Sequence, residues 1–461
     1  MERGRKMEEL NSKRIVRSEV TLSRSLNLAD GLAIVLGITI GAGIYSAPQI
    51  IAGYLASFHQ IILLWIAVGF FVFLGGLIYA ELGTRFPHPG GEYVYLYRAF
   101  GPLIGFLFGW CQLFIIRTSP AAGLAIVTAD YLGYFIRLSP LAHRSVAVGV
   151  ILILGFLNIV GLKWASAFQK FTTTLKILGL LIFVLGGLIL SRGLQSGLGQ
   201  RLEPSSDLSP MTRVIAALMM VFFAHTGFER LGYSAGEMKN PRRTIPLSLF
   251  LGISLIVTIY CLVNLIYHLT LGMEGVRGNT IVASAAAVRL AGPIGASFVA
   301  ILVILSTTGS INGTMMTATR VYYAMARDGL FLDWLNYVHP RFRTPSRAVI
   351  AHCLWALAIL FLRSKLEVIM AGMVFGILLF LALSTLALIK FRLSDLGEKG
   401  GYLVPFFPFF PFFYLSGLLV FIIFRSIFEW RRTLIDLIFM VSGLPFYFLW
   451  RIYKKRKMVE K

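Results

Sequence analysis

Four side chains in this sequence stand where their chemistry is costly unless something uses it. Lys176 lies in TTTLKILGLLIFV, with apolar residues continuing beyond it. A charge inside such a segment costs roughly 2.5–3.5 kcal/mol on insertion scales and is a functional candidate by default. Counted from Gln169 at 1.5 Å per residue, Lys176 sits about 10 Å into its segment, deep for a Lys that snorkels to an interface. Glu229, followed by Arg230, and Arg117, beside Thr118, Ser119 and Pro120, are the other deep charges. Arg117 either faces a solute path or pairs with Glu229 or Asp130, and the sequence leaves these open. His225 can titrate near neutrality, so it serves proton coupling or forms a hydrogen-bonded pocket wall.

Two glycine-rich stretches surround these charges. One runs through Gly37, Thr39, Ile40, Gly41, Ala42, Gly43 and Ile44 to Tyr45, Ser46 and Pro48; the other through Phe223, Ala224, His225, Thr226 and Gly227 to Glu229 and Gly232. Irregular backbone at membrane depth is tolerated where it lines a cavity. Paired interruptions at matching places in two halves of a chain mark a transporter's binding site. Unwinding frees N–H groups on one half-helix and C=O groups on the other. The amide end suits a carboxylate and the carbonyl end an ammonium or a cation, and a zwitterionic amino acid presents both groups. The competing reading, small residues for close helix packing, explains one stretch more easily than a matched pair.

The elements that position these groups are apolar runs long enough to cross a hydrocarbon core of about 30 Å. Twelve spans are expected, near 29–57, 61–84, 101–136, 145–162, 169–190, 211–236, 245–269, 294–326, 348–362, 366–389, 403–424 and 433–450. Runs 101–136 and 294–326 exceed one crossing and imply tilt or short flanking turns. Segment 270–293 reads as a structured outer loop with room for a short helix. Of 461 residues 57% are hydrophobic and 14% charged, against roughly a quarter charged in soluble domains. The mean hydropathy is +0.78. These values exclude a water-soluble protein and leave no room for a second globular module.

The net charge of +22 invites a nucleic-acid reading. Its distribution argues against one, because more than half of the 43 Lys and Arg fall on the side of the N-terminal tail. That bias is the positive-inside rule, and it places both termini, 1–28 and 451–461, in the cytoplasm. The run Lys454, Lys455, Arg456 and Lys457 reads as an anchor to anionic lipid headgroups. No cleavable signal peptide is read before the first span. Cys111, Cys261 and Cys353 lie in apolar runs and serve packing rather than disulfides or metal. The seven His are scattered without an HExxH, so neither a metal site nor a cofactor is expected and a membrane enzyme is disfavoured. A channel would favour a repeated pore motif over two unlike broken helices.

Four longer motifs make the pattern specific. IGAGIYSAP (Ile40–Pro48), YAELGTRFPHPGGEYVYLYRAFGP (Tyr79–Pro102), FFAHTGFERLGYSAGEMKNPRRTIP (Phe222–Pro246) and STTGSINGTMMTATRVYYAMARDGLF (Ser306–Phe331) occur in this order. Together they resemble the amino acid–polyamine–organocation (APC) superfamily and, within it, the L-type amino acid transporter branch. The resemblance covers spans 1–10; spans 11 and 12 match in hydropathy alone. It implies a LeuT-like five-plus-five inverted repeat, 29–190 against 211–389, with broken helices 1 and 6 and two peripheral spans over 403–450.

The resemblance also implies a substrate carboxylate on backbone amides near Gly41, Ala42 and Gly43. The ammonium would face carbonyls near Ile40 and at Phe223, Ala224 and Thr226, with Phe223 as an aromatic gate. Lys176 matches a span 5 lysine that stands in for a sodium ion in sodium-independent members. Three departures bear on selectivity. Ala42 stands where many members have Ser, Thr226 replaces a Gly, and Glu229 replaces an Asn, which leaves a cationic amino acid or polyamine substrate open. Loop Arg137–Arg144 lacks the Cys through which animal relatives bind a single-span glycoprotein, so no disulfide-linked partner is expected. The expected function is amino acid transport by alternating access at the cell membrane, coupled to protons or to exchange. A non-transporting sensor on the same fold is the reading from another class.

Overall fold

A computed structural model describes residues 22–41, 43–191, 197–279, 281–362 and 374–459. Among these the chain is all-α, with only isolated bridges, Leu26 to Met238 and Ser57 to Arg201. Ten helices are long and apolar enough to cross a membrane, and two shorter apolar helices, Leu28–Thr39 and Ser346–Leu362, stand at the first and ninth expected spans.

Local chemistry starts several of these helices where the apolar runs begin. Asn27 and Asp30 form a reciprocal capping box at the start of Leu28–Thr39. Ser57 caps Phe58–Arg85, while Ser139 and Ser209, each followed by Pro, cap Pro140–Val160 and Pro210–Ala224. Such a side chain satisfies one of the N–H groups that a helix start leaves orphaned. Large apolar side chains such as Ile153, Phe156, Trp164 and Leu185 are exposed along the outside. Polar groups collect inside, above all along Val282–Arg327, where Ser306, Ser310, Asn312, Thr314, Thr317 and Arg320 are buried. That inversion is what a lipid solvent demands.

Several boundaries differ from expectation. The long third span is Pro102–Cys111, a π turn over Gln112–Ile116, and Thr118–Leu132. The outer segment 270–293 holds two short helical pieces, because Pro241–Gly278 kinks at Gly272 (φ 69) and Val282–Arg327 breaks at Ala291 and Gly292. The last helix, Gly443–Val459, runs on through Lys454–Lys457, so most of the expected tail 451–461 is helical. Lys and Arg are good helix formers and carry the helix past the end of the apolar run. The start of the tenth span, 366–373, and most of the tail 1–28 lie outside the described residues.

Candidate functional site

Span 1 leaves its helix after Thr39, with Ile40 at φ −74 and ψ 80, and helix resumes at Gly43. Span 6 leaves its helix after Ala224, passes Gly227 at φ 132, and continues as 3-10 turns over Phe228–Glu237. The two interruptions pack against each other. A Cβ on Gly43 would lie 3.2 Å from Ala224 Cα, and one on Gly227 would lie 2.8 Å from Thr39 Oγ1. Gly227 therefore answers to two demands at once, a positive φ and a close approach. The Tyr260 hydroxyl, from the following span, lies 3.0 Å from Thr39 O and 3.1 Å from Ala224 O. One donor thus serves the last helical carbonyl of both interrupted spans.

Lys176 is fully buried, and its ammonium donates to Ile40 O at 2.6 Å, Gly37 O at 3.0 Å and Ser306 O at 3.4 Å. Ser306 Oγ also donates to Ile40 O at 2.9 Å, and Ser310 Oγ to Gly37 O at 3.0 Å. The carbonyl end of the first half-helix is thus held by a cation and two hydroxyls. Ile40 O already takes two donors, so the protein itself occupies the carbonyl that resemblance assigned to a substrate ammonium.

Arg117 pairs with Glu229 rather than with Asp130. Its Nη2 lies 3.3 Å from Glu229 Oε1 and 2.9 Å from Tyr233 Oη, and its Nε donates to Gln112 Oε1 at 2.6 Å. Asp130 instead meets His143 at 2.7 Å. Glu229 Oε2 accepts the Gly227 N–H at 2.7 Å, so this carboxylate also fixes the span 6 interruption. His225 is buried between Trp65 and Tyr260, with Nδ1 2.8 Å from Val221 O and Nε2 without a hydrogen-bond partner among the described residues.

Between the interruptions lies a cavity of about 390 Å³. Of the expected residues, Gly41, Gly43, Phe223, Ala224 and Thr226 line it, while Ile40, Ile44, His225, Gly227, Glu229 and Lys176 stand outside its wall. Ala42 lies outside the described residues. Thr39, Ser310, Thr314 and Arg230 add polar groups to the wall, and Ala47, Leu124, Met220 and Ile377 add apolar ones. Sequence reasoning passed over Ser310 and Thr314, whose signal was their spacing of one helical turn along one face. It also passed over Tyr260, which nothing in its apolar surroundings marks. Among the described residues no group of three or more His, Cys, Asp or Glu could hold a metal ion.

A family model described as "Amino acid permease" matches residues 26–442. The chain belongs to this family. As an amino acid permease it is a multi-pass membrane transporter and not an enzyme. The permease is similar to the b(0,+)-type amino acid transporter 1 of Homo sapiens, with 29% identity covering 94% of this chain and 89% of that one. It is similar to the Homo sapiens cystine/glutamate transporter at 29% identity, over 95% and 87% of the two chains. The serine/threonine exchanger SteT of Bacillus subtilis (strain 168) is 29% identical over 95% of this chain and 98% of its own.

Proposed function

We propose that the protein is a secondary-active amino acid transporter of the cell membrane. It works by alternating access, independently of sodium, and either couples to protons or exchanges one amino acid for another. The observation that carries this reading is the cavity wall built from both interrupted spans, with Gly41 and Gly43 beside Phe223, Ala224 and Thr226. An amide end and a carbonyl end then face one cavity, which fits a zwitterion. Relatives named for glutamate, cystine, serine and threonine support the substrate class.

In this scheme the substrate carboxylate sits on the amides at the start of Gly43–Tyr54, and its ammonium faces the end of Pro210–Ala224. Lys176 supplies the positive charge that span 1 needs at its carbonyl end, so no bound sodium is required there. Binding bridges the two interrupted spans, and rocking of one bundle against the other exposes the site to the opposite side. Both termini are cytoplasmic in this scheme, as the bias of Lys and Arg requires.

The test is uptake of a panel of radiolabelled amino acids into liposomes holding the purified protein. It is run with and without an inward proton gradient, and with and without internal amino acid. Uptake driven by the gradient alone identifies a symporter, and uptake needing internal substrate identifies an exchanger. No flux of any amino acid under any condition would overturn transport in favour of a sensor.

A further inference from the structure

We infer that Arg230 makes this cavity selective for amino acids with a short anionic side chain and against cationic ones. The inference rests on the transport reading above and names the substrate class of that site. Among the described residues lining the cavity, Arg230 is the one that carries a charge. The rest of the wall is backbone, Ser, Thr and apolar side chains, so nothing else there can answer an ionised side chain.

The guanidinium is held in place and shares its adjacent acid with a second guanidinium. Its Nη1 donates to Thr314 Oγ1 at 2.9 Å, and its side chain is 11% exposed. Glu229 is the adjacent acid, with Oε1 3.5 Å from Arg230 Nε. That carboxylate, however, also serves Arg117 at 3.3 Å and the Gly227 N–H at 2.7 Å. One carboxylate thus stands against two guanidinium groups. Glu92 is the next acid in the network, reached from Arg117 through the Tyr233 hydroxyl. Its oxygens accept from Tyr79, Tyr233 and Ser384, and it does not line the cavity. The two acids match the two guanidinium groups in number, and of these four groups Arg230 is the one that lines the cavity.

Arg230 shares the cavity wall with Gly41 and Gly43. Ser310 Oγ lies 3.7 Å from where a Cβ on Gly41 would stand. Thr314, the hydrogen-bond partner of Arg230, is four residues further along the same helix, a rise of about 6 Å. The two carboxyl carbons of aspartate or glutamate are separated by about 4–5 Å, from ordinary bond lengths. For a substrate with its α-carboxylate near Gly41 and Gly43, Arg230 is the cation of the cavity wall available to a second carboxylate. A guanidinium binds a carboxylate through parallel hydrogen bonds that an amide side chain cannot match in charge. A lysine- or arginine-like side chain would instead place a cation beside Arg230 in a cavity with a largely apolar wall, where like charges repel more than in water.

The test compares isosteric probes on the purified protein. Binding of L-glutamate, L-aspartate, L-glutamine, L-asparagine and L-lysine is read from thermal stabilisation in detergent, and competition from uptake of labelled L-serine into liposomes. The expected result is that each acid binds at least ten-fold more tightly than its amide, and that lysine does not compete. Arg230→Gln is expected to bring glutamate and glutamine within about three-fold of each other, and Arg230→Lys to keep part of the preference. Wild-type protein that binds glutamine as well as glutamate, or that accepts lysine, overturns the inference and leaves transport standing. That comparison needs no variant, so poor folding of Arg230→Gln would not rescue the idea. If no probe of any charge binds or moves, both the inference and the transport reading fall.

Discussion

The Lys176 ammonium lies 2.6 Å from the carbonyl oxygen of Ile40, the residue that ends the first half of span 1. A helix end at membrane depth leaves carbonyls without partners, and its dipole favours a cation there. Lys176 answers both needs from a different span, and Ser306 and Ser310 complete the set on Ile40 O and Gly37 O.

Lys176→Ala should therefore be among the most damaging single changes in the chain. It removes a buried cation that donates to three carbonyls, and although Ser306 and Ser310 still donate to Ile40 O and Gly37 O, hydrogen bonds to a charged group contribute about 1.5–3 kcal/mol. We expect amino acid uptake to fall more than ten-fold, with a lower Tm for the purified protein. The same variant assayed in 100 mM sodium separates two roles, since partial recovery of uptake would show that a bound cation can replace the ammonium. Normal uptake by Lys176→Ala would refute the assignment.

Tyr260→Phe tests the connection between the two interruptions. The hydroxyl reaches Thr39 O and Ala224 O at 3.0 and 3.1 Å, and the ring packs on Trp65 and His225. The substitution keeps the ring and removes one donor, so the loss should be about 1–3 kcal/mol of stability. Because both carbonyls belong to residues of the cavity wall, substrate KM should rise as well. A Tm fall with unchanged KM would make Tyr260 a packing residue only.

Gly227 and Gly186 provide a matched pair of substitutions with opposite signs. At Gly227, φ is 132 and a Cβ would meet Thr39 Oγ1 at 2.8 Å. Gly227→Ala should cost about 1–3 kcal/mol through backbone strain alone, with the contact added. Gly186 sits inside the helix Leu162–Leu190, where a Cβ meets nothing within 4 Å. Gly186→Ala should stabilise by about 0.5–1 kcal/mol through helix propensity. Thermal unfolding of both variants against wild type checks the pair.

The parts of this site that sequence made legible are those that break a rule of the membrane interior. Gly41, Gly43 and Gly227 stood out because glycine beside polar residues is unusual in a span, and Lys176 because a lone charge in an apolar run is costly. Arg117 was visible as a charge with Glu229 among its possible partners, but the choice between Glu229, Asp130 and a solute path was not legible. Glu229 lies 112 positions away, and no local spacing joins the two. Tyr260 obeys every rule for an apolar span, so only the fold reveals that it meets both interruptions. The helical course of Gly443–Val459 was missed because a basic run signals the end of a membrane span, not the end of a helix.

A buried ion pair ties span 6 to span 8. Arg320 and Glu237 form a doubly hydrogen-bonded pair, at 2.6 and 2.8 Å, with both side chains buried. Glu237 ends the 3-10 segment of span 6, and its backbone oxygen accepts the N–H groups of Ser25 and Leu26 just before span 1. The pair thus joins spans 1, 6 and 8 near the start of span 1, at one end of the proposed alternating-access path. Removing one partner leaves a buried charge unpaired and costs about 3–5 kcal/mol, whereas replacing both with apolar residues is close to neutral. Glu237→Gln and Arg320→Met should each lower Tm sharply, and the double variant Glu237→Met with Arg320→Met should recover most of the loss. Uptake divides the structural role from the gating one. If the pair is a gate that must close, the stable double variant should still transport slowly, because nothing then holds that end shut while substrate enters from the other. A double variant with wild-type Tm and wild-type uptake would leave the pair a packing device with no part in the cycle.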